Sequence, residues 1–151
     1  MHLTNKKKRY DSVAIACLFA GYQLTQPEGQ AQAYLTQGAE VEADKGCSSG
    51  SPCIRLVDGD FETMAHSTST TGPHWMKIKM EREYEVETIL VQNRDTITNA
   101  DFIARINPST VTVGNLEDVS ANASCGGTLT SSAIFACGLK GTIIGIRQDN
   151  T

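Results

Sequence analysis

The stretch HWMKIKMEREYEVETILVQ, His74 to Gln92, constrains the fold more than any other part of the chain. Trp75, Lys77 and Lys79 alternate with Met76, Ile78 and Met80, a period of two that puts one face of a strand against a core. Glu83, Glu85 and Glu87 then alternate with Tyr84 and Val86, and Thr88-Ile89-Leu90-Val91 follows as an apolar, β-rich run. Shorter strands are expected at Ala39 to Ala43, at Val111 to Val113 ahead of Gly114, and at Gly141 to Ile146. Lys45 to Pro52 and Ser67 to Pro73 have the composition of loops. Short strands separated by frequent turns predict an all-β sandwich or barrel.

Composition narrows the function. The 151 residues match one domain, since domains run to about 100–200 residues. A hydrophobic content of 40% supports a single core, and a net charge of −4 lacks the basic face of a general nucleic-acid binder. The N-terminus has the parts of a leader: a basic cluster, Lys6 to Arg9, an apolar run, Val13 to Gly21, and a small-x-small pattern, Ala31-Gln32-Ala33. The apolar run is shorter than the roughly 20 residues a membrane helix needs. Residues 1–33 are therefore expected to be a signal peptide, residues 34–151 the domain, and the product secreted.

Loss of the leader removes Cys17 and leaves Cys47, Cys53, Cys125 and Cys137. Four cysteines allow three pairings, and the close spacings suggest Cys47–Cys53 and Cys125–Cys137. A zinc site would want shorter knuckles or adjacent histidines. Asn122-Ala123-Ser124 is a glycosylation sequon, whereas proline excludes Asn107-Pro108-Ser109.

Asp58-Gly59-Asp60, in IRLVDGDFETMAHS, reads as a tight turn, a metal loop or a catalytic acid pair. The spacing is not that of an EF-hand. Glycosidase carboxylates face each other across a cleft, about 5–10 Å apart, which one shared turn arranges poorly. No nucleophile elbow, His-Glu-x-x-His or phosphate loop is present, and the chain is read as non-catalytic.

The stretch His74 to Arg94 resembles the fucolectin branch of the discoidin, or coagulation-factor type C, superfamily: an aromatic strand opening, an acidic-Tyr-x-Val turn and a strand ending in Asn-Arg. LVDGD, RINPSTVTVGN, SCGG and FACGLKGTIIGI resemble further pieces of that family in the same order. The resemblance implies an antiparallel jelly-roll β-sandwich of the galactose-binding-like class, with the chain ending before the family's last strand. It also implies a lectin for a terminal sugar such as fucose or galactose. Carried over residue by residue, His66, Arg94 and Arg105 become the sugar-binding set, and Asp58 and Asp60, with Ser67 or Ser69, the calcium ligands. His74 falls at a strand entrance, and Trp75 reads as core packing rather than a sugar-stacking plate.

Departures from the family qualify this. Met76 replaces a second aromatic, about four extra residues separate Arg94 from Arg105, and the vicinal cysteines between those arginines are missing. An extracellular structural or adhesion module that has lost sugar binding is the alternative these departures favour. Weak single-site affinity would be offset by an oligomer or by a longer multi-module chain.

Overall fold

The structure is a computed structural model that describes residues 36, 38–60, 63–68, 73–92, 108–126 and 133–148, together with the backbone of 14–16 and 19–21. The strands are β1 (Ala14–Ala16), β2 (Phe19–Gly21), β3 (Glu40–Ala43), β4 (His74–Gln92), β5 (Ser109–Gly114), β6 (Ala123–Ser124) and β7 (Ala133–Gln148). Two 3-10 turns, Cys53–Leu56 and Val119–Ala121, are the only helical pieces among the described residues. The order is β1-β2-β4-β7-β5-β6, with β3 also on β4. No helix among the described residues is long and apolar enough to cross a membrane.

Three stretches read separately from the sequence are one strand of 19 residues, β4, which pairs antiparallel with β7 along nearly its whole length. The ladder runs from His74 opposite Gln148 to Val91 opposite Ala133. Between the pairs Lys79–Ile143 and Tyr84–Gly141, five steps of β4 face two of β7, so β4 carries the surplus residues of an irregularity there. Such a surplus bends a ribbon sharply. Met76, Ile78 and Met80 before it and Tyr84, Val86, Ile89 and Val91 after it belong to one core cluster. The two halves of one ribbon thus supply both layers, and the architecture is an all-β antiparallel sandwich.

Val111 and Val113 of β5, Phe135, Ile144 and Ile146 of β7, and Leu56, Val57 and Ala65 from the loops complete that core. The 3-10 turn Cys53–Leu56 touches β3, beside the first half of β4, and β2, beside the last residues of β4. Residues 44–68 therefore cap the end of the sandwich where those parts meet. Both expected disulfides are present, Cys47–Cys53 with Cα atoms 5.3 Å apart and Cys125–Cys137 at 4.6 Å. The expected cleavage pattern at Ala31 to Ala33 lies outside the described residues, whereas the apolar run expected of a leader, 13–21, contains β1 and β2.

The opposite face of β4 corrects two expectations. Trp75 is not in the core: it shares a face with Lys77 and Lys79 and is only half-buried. The alternation that buries Met76 forces this. Lys77, on what should be the solvent face, is only 5% exposed. A strap, residues 115–122, lies over it. Lys77 Nζ is 3.0 Å from Glu42 of β3 and 2.5 Å from Glu117 of the strap, and sits 4.9 Å from the centre of the Trp75 ring. Lys79 reaches Glu42 at 2.7 Å.

Hydrogen bonds from Lys79 and then Lys77 hold the Glu42 carboxyl down to about 2, outweighing its partial burial. The Glu117 hydrogen bond holds the Lys77 ammonium above its usual range, against the burial that opposes it. A cation under a strap is stable only with such partners, because an unpaired buried charge is costly.

The remaining anchors of the strap are hydrogen bonds rather than ion pairs. Asn115 accepts from Thr142 N–H at 2.8 Å and donates to Glu83 at 2.9 Å. Thr112 Oγ1 donates to the Val119 carbonyl at 3.0 Å, and Asp118 accepts from Ser120 N–H at 2.9 Å.

Candidate functional site

Site-directed residues concentrate in the cap formed by residues 44–68. Its core is a small ribbon in which Cys47 pairs with Ser67 and Ser48 with Ser51. His66 donates its N–H to the Ser51 carbonyl at 3.0 Å, and its own carbonyl accepts from Ser48 N–H at 2.9 Å. Thr68 N–H donates to the Gly46 carbonyl at 3.0 Å, and the Thr68 hydroxyl donates to the Lys45 carbonyl. The Cys47–Cys53 bridge closes the opposite strand of this ribbon, and Arg55 Nη1 donates to the Gly50 carbonyl at 2.7 Å.

Ala65 and Ser67 point inward, at 0% and 6% exposure. Alternation then turns the half-buried His66 between them the other way. The backbone on both sides of His66 is fixed, so its imidazole is presented from a rigid base.

Asp58-Gly59-Asp60 is a turn that closes on itself. Asp58 Oδ1 accepts from Asp60 N–H at 2.9 Å, and Asp58 Oδ2 accepts from the Thr63 hydroxyl at 2.7 Å. Thr63 N–H donates to the Asp60 carbonyl at 3.3 Å. Gly59 takes φ of +80°, where a side chain is strained, which accounts for glycine between the two carboxylates.

As a donor set, two carboxylates with hydroxyl and carbonyl oxygens suit a hard cation such as calcium. Among the described residues no three His, Cys, Asp or Glu side chains converge as a metal group. Carbonyl and hydroxyl oxygens would have to complete any coordination shell.

The structure brings His66, Ser67 and the Cys47–Cys53 bridge into one ribbon and puts Asp58 and Asp60 in the turn that leads to it. Arg94, Arg105 and Ser69 lie outside the described residues. His74 opens β4, as its place in the sequence indicates. The clasp of Lys77, Lys79, Glu42 and Glu117 escaped the sequence reading. Glu117 is 40 positions from Lys77, and no local pattern announces the pairing.

No family model matches the sequence, and no curated protein matches it. Solved structures do. A fucolectin from striped bass (Morone saxatilis) serum superposes with a TM-score of 0.67 at 18% identity, over 88% of this chain and 45% of that one. This chain has the fucolectin/discoidin-like fold. It spans less than half of the bass lectin's length. A Streptococcus pneumoniae fucose-binding module matches at 0.60 and 17% identity, over 78% of this chain and 87% of that one. A galactose-bound family 32 carbohydrate-binding module of Clostridium perfringens matches at 0.57 and 15%, over 77% of this chain and 86% of that one.

Proposed function

We propose that this chain is a secreted, non-catalytic carbohydrate-binding module for a terminal sugar such as fucose or galactose. The observation that carries the reading is a disulfide-clamped His66 displayed at one end of a sandwich, in a fold shared with fucose- and galactose-binding modules. Arg94 and Arg105 complete the proposed set. A guanidinium presents five donors in a rigid fork and can bridge neighbouring hydroxyls, while the imidazole supplies a donor or an acceptor as its tautomer dictates. With few polar contacts the single-site affinity is weak, and repeated sites on an oligomer or a longer chain would raise it.

Calcium is part of the proposal. Asp58 and Asp60, with Ser67 and Ser69, would hold it, and when bound it would stiffen the loops beneath the sugar. The self-closing Asp58 turn favours the second reading, a structural or adhesion module in which the turn needs no ion.

Calorimetric titration of the folded, oxidised protein with L-fucose and with galactose, in calcium and then in EDTA, separates the two readings. Saturable binding that disappears in EDTA and in Arg94→Ala is the expected result. Absence of heat with either sugar, from protein shown to be folded, assigns the domain to the structural reading.

A further inference from the structure

The sequon Asn122-Ala123-Ser124 meets a use of its asparagine that the sequence does not reveal. Asn122 Oδ1 accepts from Leu116 N–H at 3.0 Å, and Asn122 Nδ2 donates to the Leu116 carbonyl at 2.9 Å. One side-chain amide thus pairs with both backbone groups of one residue, as a neighbouring strand would, and closes the strap into a loop. The amide also comes close to Gly114. A Cβ built there would meet Asn122 Oδ1 at 2.2 Å, so glycine is required where the bracket sits.

We propose that this bracket and N-glycosylation of Asn122 are mutually exclusive, so that the folded protein is unmodified at its sequon. Modification by an activated oligosaccharide donor forms a bond from Nδ2 to the anomeric carbon. The donor's phosphate leaving group departs and one Nδ2 hydrogen is lost as a proton. The product is a secondary amide, which takes the trans form and puts the carbon substituent on the same side as the carbonyl oxygen. In the bracket that position belongs to the hydrogen donated to Leu116, because Oδ1 and Nδ2 face the same residue. The glycan would replace the very hydrogen in use and stand where the Leu116 carbonyl now lies. The modified strap opens, and Glu117, one residue beyond Leu116, loses its fixed approach to Lys77 and Lys79.

The test uses the full chain secreted from a eukaryotic host, with a C-terminal tag carrying a second, unstructured sequon. Only molecules glycosylated on the tag are counted, so passage through the modifying compartment is certain. Ser124→Thr, at an exposed position of β6, is run in parallel to strengthen the acceptor motif. Occupancy at Asn122 is mapped by mass after enzymatic glycan removal in heavy-oxygen water, and amide exchange is followed at Leu116. The expected result is an unmodified Asn122 in folded protein. In any modified fraction, Leu116 should exchange faster by on the order of tenfold, the loss of one net hydrogen bond. A folded, largely modified population whose Leu116 is as protected as in unmodified protein overturns the proposal, with either variant.

Discussion

The β4–β7 ribbon and the cap of residues 44–68 solve the problem of holding a chain still in opposite ways. The ribbon uses a long backbone ladder over a shared apolar core, and on its far face a clasp of charges that seals a strap over Lys77. The cap has little regular structure. It is held by one disulfide, a few backbone hydrogen bonds and turns whose side chains bond their own loop. Ladders tolerate little variation without losing register, whereas a stapled loop keeps its shape while its outward side chains change. The proposed recognition on the cap, with stability vested in the ribbon, is consistent with that division.

The division can be broken most directly from the ribbon side. Ile144 of β7 is fully buried, and Ile144→Ala should cost about 2–5 kcal/mol in urea unfolding. A loss near zero would mean that the ribbon is not the seat of stability.

Removal of the Cys47–Cys53 bridge by the double change Cys47→Ala, Cys53→Ala should cost about 2 kcal/mol by loop-closure entropy, since the loop it closes is short. Its larger effect should fall on the cap, read as faster amide exchange at Ser48 and His66 with β4 unchanged. Equal loosening of both regions would erase the distinction.

Acid should loosen the strap before the core. Glu42 is held down to about 2 from the ordinary 4.5 of a glutamate, and Glu117 is lowered as well, chiefly by its Lys77 hydrogen bond. A carboxyl with a depressed folded pKa contributes stability above its unfolded value, and that contribution is lost as pH falls from about 4.5 towards 2. The double change Lys77→Met, Lys79→Met, which removes both partners of Glu42, should flatten the stability profile across that window. An unchanged profile would show that the clasp is energetically idle.

The smallest change in stability is expected from His66→Ala, within about 0.5 kcal/mol, because the ribbon is held by backbone and not by imidazole. Sugar binding should nevertheless fall below detection. A stability loss as large as that of the disulfide variant would mark His66 as structural.

What was legible in the sequence follows the same line. Period-two alternation announced Met76, Ile78 and Met80 as a buried row, and the close spacing of cysteines announced both bridges, because each is a local signal. The fusion of three stretches into β4 was not legible. Glu83 to Glu87 alternates as a strand does, but its continuity with the stretches on either side emerges only from the ladder with β7 on both flanks of the irregularity. The place of Trp75 at the start of an alternating strand suggests core packing, although the same alternation puts it on the face of Lys77 and Lys79. The burial of Lys77 needed the strap, and the Glu117 contact that seals it spans 40 positions. In the cap, the Asx-Gly turn was among the readings of Asp58 to Asp60, and its hydrogen bonds match that reading.

The long ribbon also bears on how the protein is made. The nearest partners in the β4–β7 ladder, Val91 and Ala133, are 42 positions apart (133 − 91), and His74 waits for Gln148. At a synthesis rate of about 5–20 residues per second, β4 leaves the ribosome seconds before β7, its longest partner, exists. During that interval β4 has only β1, β2 and β3 beside it, and its long edge towards β7 is unpaired. The exposed glutamates at 81, 83, 85 and 87 then give the nascent strand a charged border, which keeps it from pairing with another copy of itself while it waits.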